Sequence, residues 1–406
     1  MAPNVYYFNP TCELAIANGS FSYMPPKLLR DFETDCSVLP FVFSSAGDCI
    51  LTECKPSQEF ISRLSDAGFT VPTYLNLKEL VSEGNLGHLF PWGWSPASHF
   101  ILKDLKDKCC QAFKESPVYD WKEEHKSLFE RRTSLTFLQN FLETFPSEHY
   151  LDTDNIGISV TSCEEIELLL KKHTALVLKA PLSSSGRGIQ IIRKPTLNAS
   201  NRQWISGVLN QQAYLIAEPY LDKITDLSFQ FKITDKGEPE YPGYSIFETN
   251  TNGQYKSTFI HPKVNHPVFS GQSNKVEELI ATTAELLARQ LKYSPFAMFH
   301  RGFMGIDAML YRDQNQLKMQ PCIEINSRMN MGILTLHIEK YIHPHSIGKF
   351  ELFYDKPGEY HRFATQQAME KPLKMKNGLL SSGFLSLVEP DETKQFGAYI
   401  LLQDSV

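Results

Sequence analysis

Nowhere in its 406 residues does the sequence approach the roughly 18 consecutive apolar residues that a membrane-spanning helix needs, and it holds no run of about five like charges. The first absence argues against a helical membrane protein, the second against an acidic or basic tail. Positive charge is also in short supply: 40 lysines and arginines against 46 acidic residues leave a formal net charge of −6. A protein held to nucleic acid by phosphate contacts needs the opposite balance. The opening residues, MAPNVYYFNP, have no basic segment followed by an apolar core, so no secretory leader is expected. These absences together predict a soluble, cytoplasmic protein with neither a nucleic-acid nor a membrane partner.

Cysteine is present but unorganised. The eight cysteines include no C-x-x-C pair, which predicts reduced, mostly buried thiols rather than a disulfide frame or a zinc site. Familiar catalytic signatures are missing as well. The phosphate loop G-x-x-x-x-G-K-[ST] and the G-x-S-x-G nucleophile elbow do not occur, and no internal repeat or low-complexity tract is visible.

What is there is enough for a sizeable core. The composition is 42% hydrophobic and 21% charged, over a length that predicts two or three lobes. Short apolar runs (VYYF, VLPFVF, CILTE) alternate with helix-like segments, the rhythm of an α/β domain. The stretch LGHLFPWGWSPASHF, residues 86–100, reads as a packed loop or as a platform in a cleft. A charged helical stretch follows, with Leu128, Leu135, Leu138 and Phe141 near helical spacing and Arg131 and Arg132 on or beside that face. Ser162 and Glu165 predict a capping box opening a helix that ends near His173. Further strands are expected at LVLK, AYLIAEPYL, DLSFQFKIT, GYSIFET and YKSTFI, with a hairpin signal at Asn252-Gly253. A long amphipathic helix is expected over about 274–291, then strands FMGIDAMLY and PCIEINS, then a terminal strand pair. The expected divisions are an N-terminal α/β domain over 1–130, a small lobe over 131–217, a large lobe over 218–350 and a strand-rich extension over 351–406.

Three stretches carry chemistry. In LVLKAPLSSSGRGIQII, residues 176–192, Lys179 precedes Ser183, Ser184, Ser185, Gly186, Arg187 and Gly188, and the loop runs on into a second apolar strand. A dinucleotide fingerprint would run on into a helix instead. Backbone N–H groups and serine hydroxyls of such a hairpin could close over a triphosphate beside the lysine charge, although an ordinary hairpin has the same composition. On FMGIDAMLY, period-two alternation places Gly305, Asp307 and Met309 on one face; on PCIEINSR it places Cys322, Glu324 and Asn326 together, with Ile323 and Ile325 behind them. Carboxylate and amide oxygens so placed suit a hard divalent cation that also takes phosphate oxygens. In LIAEPYLDKITD, the Pro219 carbonyl and the Leu221 N–H could meet an adenine edge, with Glu218 and Asp226 in reach of its amino group or a ribose. The loop is then a phosphate lid if Asp307, Glu324 and Asn326 share its cleft, and a plain hairpin if they do not.

This order of parts resembles the ATP-grasp superfamily, over about Leu176 to Gly332. The resemblance implies two α+β lobes enclosing a nucleotide cleft, preceded by an α/β domain. It also implies that Lys179 binds the α/β-phosphates, Ser183 to Gly188 form the lid, and Glu218, Pro219, Tyr220 and Leu221 bind adenine. Asp226 would be the ribose-side acid, and Asp307, Glu324 and Asn326 would hold two Mg²⁺ ions, with Mn²⁺ as a substitute. Arg328 matches an arginine that holds a carboxylate or acyl-phosphate. Two features depart from the pattern: Gly305 stands where ligase members carry an arginine, and Arg131 or Arg132 stands nearest the place of a second phosphate-binding lysine. His300 and Arg301 read as structural. The activity implied is an ATP-dependent ligase joining a small-molecule carboxylate to an amine through an acyl-phosphate. The alternatives are a phosphotransferase or carboxyphosphate-type enzyme, and a non-catalytic nucleotide-binding scaffold.

Overall fold

Runs of three apolar residues such as VYY and CIL are too short to stand alone, and the chain stacks them in parallel. β1 (Val5–Tyr7), β2 (Cys49–Leu51), β3 (Thr73–Leu75) and β4 (Leu89–Pro91) form a sheet of order β3-β2-β1-β4. Parallel neighbours need crossovers, and helices such as Gln58–Asp66 and Leu77–Ser82 supply them. The run VLPFVF does not join the strands. It coils as the 3-10 helix Leu39–Phe43, with Pro40, which has no N–H to give a ladder, at its start. The computed structural model describes residues 2–183, 188–250, 253–270 and 273–404.

A second sheet is antiparallel: β5 (Ile158–Val160), β6 (Leu176–Lys179), β7 (Ile189–Ile192) and β8 (Leu215–Pro219), in the order β5-β8-β6-β7. The helices Cys163–Lys172 and Ala199–Gln212 pack Ile166, Leu170 and Ile205 against its Leu176, Leu178 and Leu215. At the first of these helices only half of the expected capping box forms. Ser162 Oγ accepts from Glu165 N at 3.2 Å, while the Glu165 carboxylate accepts from Thr161 N at 2.7 Å. The β6–β7 hairpin is tight at its base, where Ala180 N donates to Gly188 O at 2.8 Å. A Cβ at Gly188 would stand 2.3 Å from Ser183 Cβ, so glycine is needed there for the close approach of the two arms.

The third sheet has nine strands: β9 (Asp222–Ile233), β10 (Pro239–Thr249), β11 (Tyr255–Ile260), β12 (Gly302–Asp313), β13 (Gln316–Asn326), β14 (Ser346–Tyr354), β15 (Lys374–Lys376), β16 (Leu379–Ser386) and β17 (Phe396–Asp404). Their order is β13-β12-β9-β10-β11-β14-β17-β16-β15. Helices Arg131–Thr144 and Ser273–Leu291 bury Leu138, Phe141, Ile280 and Leu287 on Phe229 and Ile306 of one face. The helix that opens the expected 131–217 division therefore packs on the large sheet, and the expected boundary at 350 falls inside β14. Another core joins Phe41 and Trp92 of the first 130 residues to Phe350, Leu380 and Ile400. No helix among the described residues is long and apolar enough to cross a membrane.

Candidate active site

Strand register brings the oxygen-bearing side chains into a line. Glu324 of β13 pairs with Asp307 of β12, Asp307 with Ser228 of β9, and Ser228 with Ser245 of β10. Their neighbours in sequence, Ile306, Leu227 and Ile246, are buried on the opposite face. The β12–β13 register shifts between Asp307 and Met309, and Cys322 is buried, its Sγ 3.7 Å from Ser134 O and its thiol pushed up by burial first and then by the charges of nearby Asp307 and Glu324. A bulge of this kind is how strict alternation breaks.

The line of oxygens forms part of the floor of a cleft of about 610 Å³, and Asn326, Arg328, Arg131 and Ser183 line the same space. Ser183 of the Gly/Ser stretch lines the same cleft as Asp307, Glu324 and Asn326. Ser184, Ser185, Gly186 and Arg187 lie outside the described residues.

Arg131 is the hub. Its Nε donates to Ala180 O at 2.9 Å, Nη2 to Ser183 Oγ at 3.0 Å and Nη1 to Glu324 Oε2 at 3.0 Å, with only 4% of the residue exposed. The planar fork of guanidinium makes such divergent bonding possible where an ammonium could not. Arg132 points elsewhere: it is exposed, bonds Ser159 Oγ and stacks over the Tyr214 ring at 3.8 Å. On the other flank, Asn326 Nδ2 donates to Asp307 Oδ2 at 3.0 Å, and Asn326 Oδ1 accepts from Arg328 Nη2 at 3.1 Å. Arg328 Nε donates to Glu13 Oε1 at 2.8 Å. Burial pushes the Asp307 carboxyl up to about 7, with the Glu324 charge adding to the shift and hydrogen bonds from Ser228 and Asn326 opposing it.

The other expected residues bond to separate partners. Lys179 is buried and donates to Glu218 Oε2 at 2.6 Å, across the β6–β8 pair. Tyr220 N donates to Ala175 O at 3.0 Å, and its exposed ring meets Arg193 at 5.2 Å. Asp226 accepts from Lys223 Nζ at 2.5 Å and from Thr249 Oγ1 at 3.1 Å. Lys179, Gly188, Glu218, Pro219, Tyr220, Leu221 and Asp226 do not line the 610 Å³ space, and Arg131, through Ala180 and Ser183, ties the β6–β7 hairpin to it. His300 and Arg301 stand apart, bonded to Phe303 O and to Ala297 O.

The sequence reading missed Glu13. It is buried in the short helix Cys12–Asn18, with one carboxylate oxygen on Arg328 and, among the described residues, no partner for the other. Its signal is visible in retrospect as the single charge in CELAIAN. Asn330 was missed too: it caps the helix Met331–Glu339 and donates to Gln230 Oε1 at 2.9 Å.

The donor set Asp307, Glu324 and Asn326 is all oxygen, which fits Mg²⁺. Among the described residues no group of three or more His, Cys, Asp or Glu is placed to hold a metal ion. Two carboxylates and an amide suit an ion that takes its remaining ligands from phosphate and water.

No family model matches the chain. Over 204 residues it is 31% identical to the [butirosin acyl-carrier protein]–L-glutamate ligase of Niallia circulans; the match covers 45% of this chain and 43% of that protein, so the chain spans less than half the length of this curated relative. Among solved structures, it is similar to the biotin carboxylase of Campylobacter jejuni in its complex with β-γ-ATP, with a TM-score of 0.53, 12% identity and coverage of 100% of this chain and 88% of that one. It is similar also to the biotin carboxylase domain of Hydrogenobacter thermophilus 2-oxoglutarate carboxylase in complex with MgADP, ADP and bicarbonate, with a TM-score of 0.50, 11% identity and coverage of 99% and 86%. At such identities the likeness is one of fold.

Proposed function

We propose that this chain, which has the ATP-grasp fold, is an ATP- and Mg²⁺-dependent ligase that joins a carboxylate to an amine through an acyl-phosphate. The observation that carries the reading is the bonding of Arg131, which ties the base of the Gly/Ser hairpin to the Asp307–Glu324–Asn326 set through one buried guanidinium. The relative named as an acyl-carrier protein–L-glutamate ligase supports the same reaction class.

In this reading Lys179 holds the α/β-phosphates, and Ser183 to Gly188 close over them. Glu218 to Leu221 meet the adenine, Asp226 the ribose, and Arg131 serves as the second phosphate-binding cation. Asp307, Glu324 and Asn326 hold Mg²⁺, which when bound supplies charge neutralisation at the phosphate oxygens. The substrate carboxylate attacks the γ-phosphorus and ADP leaves. The amine then attacks the acyl carbon, phosphate departs, and the nitrogen gives up a proton. Arg131 and Arg328 offset the negative charge that gathers on the transferring oxygens, and Arg328 is held in place for this by Glu13 and Asn326.

Calorimetry of ATP binding with and without Mg²⁺, on wild type and on Asp307→Asn/Glu324→Gln, tests the reading. Binding that requires Mg²⁺ in the wild type and is lost in the double variant is the expected result. Wild-type protein that binds no ATP would overturn it.

A further inference from the structure

The cleft is graded from one end to the other. Its charged lining residues, Glu13, Arg131, Asp307, Glu324 and Arg328, gather at the β12–β13 end, and β10, β11, β14 and β17 contribute no charged side chain to it. Register carries the same sheet face onward: Asp226 pairs with Phe247, Phe247 with Thr258 and Thr258 with the buried Phe350, and further along that face of β14 Leu352 and Tyr354 line the cleft, Tyr354 pairing with Phe396. At the far end Tyr354 stacks on Phe396 at 4.7 Å between ring centres, and Phe32 of the helix Lys27–Asp35 closes over Phe396 at 5.1 Å. Tyr354 is 59% exposed and Leu28, on the same helix, is 40% exposed. Large apolar side chains left open to water inside a cleft mark a place where a ligand covers them.

Distance sets the shape of that ligand. β14 lies four strands from β12 in the sheet order, or about 19 Å at the usual strand spacing. A small amino acid held at the charged end would leave the aromatic end bare.

Resting on the ligase reading above, we propose that the carboxylate substrate has an elongated, uncharged, apolar body. Its carboxylate lies at Arg131 and Arg328 and its apolar body runs along the β10–β11–β14 face to the Phe247, Tyr354 and Phe396 rings. Each methylene moved from water onto that face contributes about 0.8 kcal/mol, which is about a fourfold gain in affinity.

The probes are butyrate, hexanoate, octanoate and decanoate, titrated calorimetrically into the full chain with Mg²⁺ and a non-hydrolysable ATP analogue. Affinity is expected to rise about fourfold per added methylene, and octanedioate, with a second charge at the far end, is expected to lose most of the gain. Phe396→Ala and the exposed Tyr354→Ser should both flatten the dependence on chain length while leaving affinity for the nucleotide analogue unchanged. A flat series in the wild type, with the nucleotide bound, would overturn the apolar chamber and leave the ligase reading standing. A rising series without any nucleotide binding would do the reverse. The same slope in both variants as in wild type would remove these rings from the site.

Discussion

Arg131 and Arg132 are adjacent in sequence and opposite in fate. Helical geometry turns successive side chains by about 100°, so only one of the pair can face the cleft. Arg131 is the one that enters, and it holds three acceptors at once. Arg131→Lys keeps the charge and loses the fork, and by the usual worth of hydrogen bonds to charged groups it should weaken MgATP binding by about 10–100-fold. Arg132→Gln, on the exposed face, should leave that affinity within about twofold. Calorimetric titration of MgATP into both variants checks the contrast, and equal losses would take Arg131 out of its proposed role. Glu13 illustrates the converse at the same scale. It meets Arg328 across 315 residues of sequence, so no local motif announces the pair.

At the scale of elements, the sequence was legible wherever one strand or hairpin contains its own logic. Alternation in β12 placed Asp307 opposite Ile306 and Ala308, and the Gly/Ser loop between two apolar runs read correctly as a hairpin joining strands. The register shift next to Asp307 was not legible, because a bulge is a property of the pair of strands and not of either sequence. The aromatic end of the cleft was invisible for a related reason: Phe247, Tyr354 and Phe396 line one cleft only through the order in which β10, β11, β14 and β17 pair. That order depends on close backbone packing at β14. A Cβ on Gly348 would lie 2.2 Å from Leu401 O, a backbone atom of β17 that cannot move aside alone. Gly348→Ala should therefore cost about 1–3 kcal/mol, read as a lower urea midpoint. Gly84→Ala, with nothing within 4 Å of the added carbon, should change stability by less than about 0.5 kcal/mol.

On the scale of the whole molecule, the N-terminal parallel sheet with its helices and the C-terminal strands act as one support for the cleft. They share an apolar core, and Asp35 Oδ2 accepts from Gln395 N at 2.9 Å and Phe396 N at 3.1 Å at the base of the aromatic end. The helix that carries Asp35 also carries Glu33, whose carboxyl is pushed up to about 7 from its ordinary 4.5 by burial, with hydrogen bonds from Thr11 opposing the shift. Between those two values the folded protein keeps a proton that the unfolded chain has released. Stability therefore falls as pH rises through that window, and the loss is complete above about pH 7. Glu33→Gln keeps an acceptor for Thr11 and removes the charge. It should leave the urea midpoint unchanged near pH 4 and raise it at pH 8, by at most about 3 kcal/mol from the size of the shift. Because Glu33 sits in the support and not among the proposed ATP contacts, MgATP affinity at pH 8 should stay the same in this variant. A midpoint that moves equally at both pH values would show that the packing of the helix, and not the buried charge, was what the substitution changed.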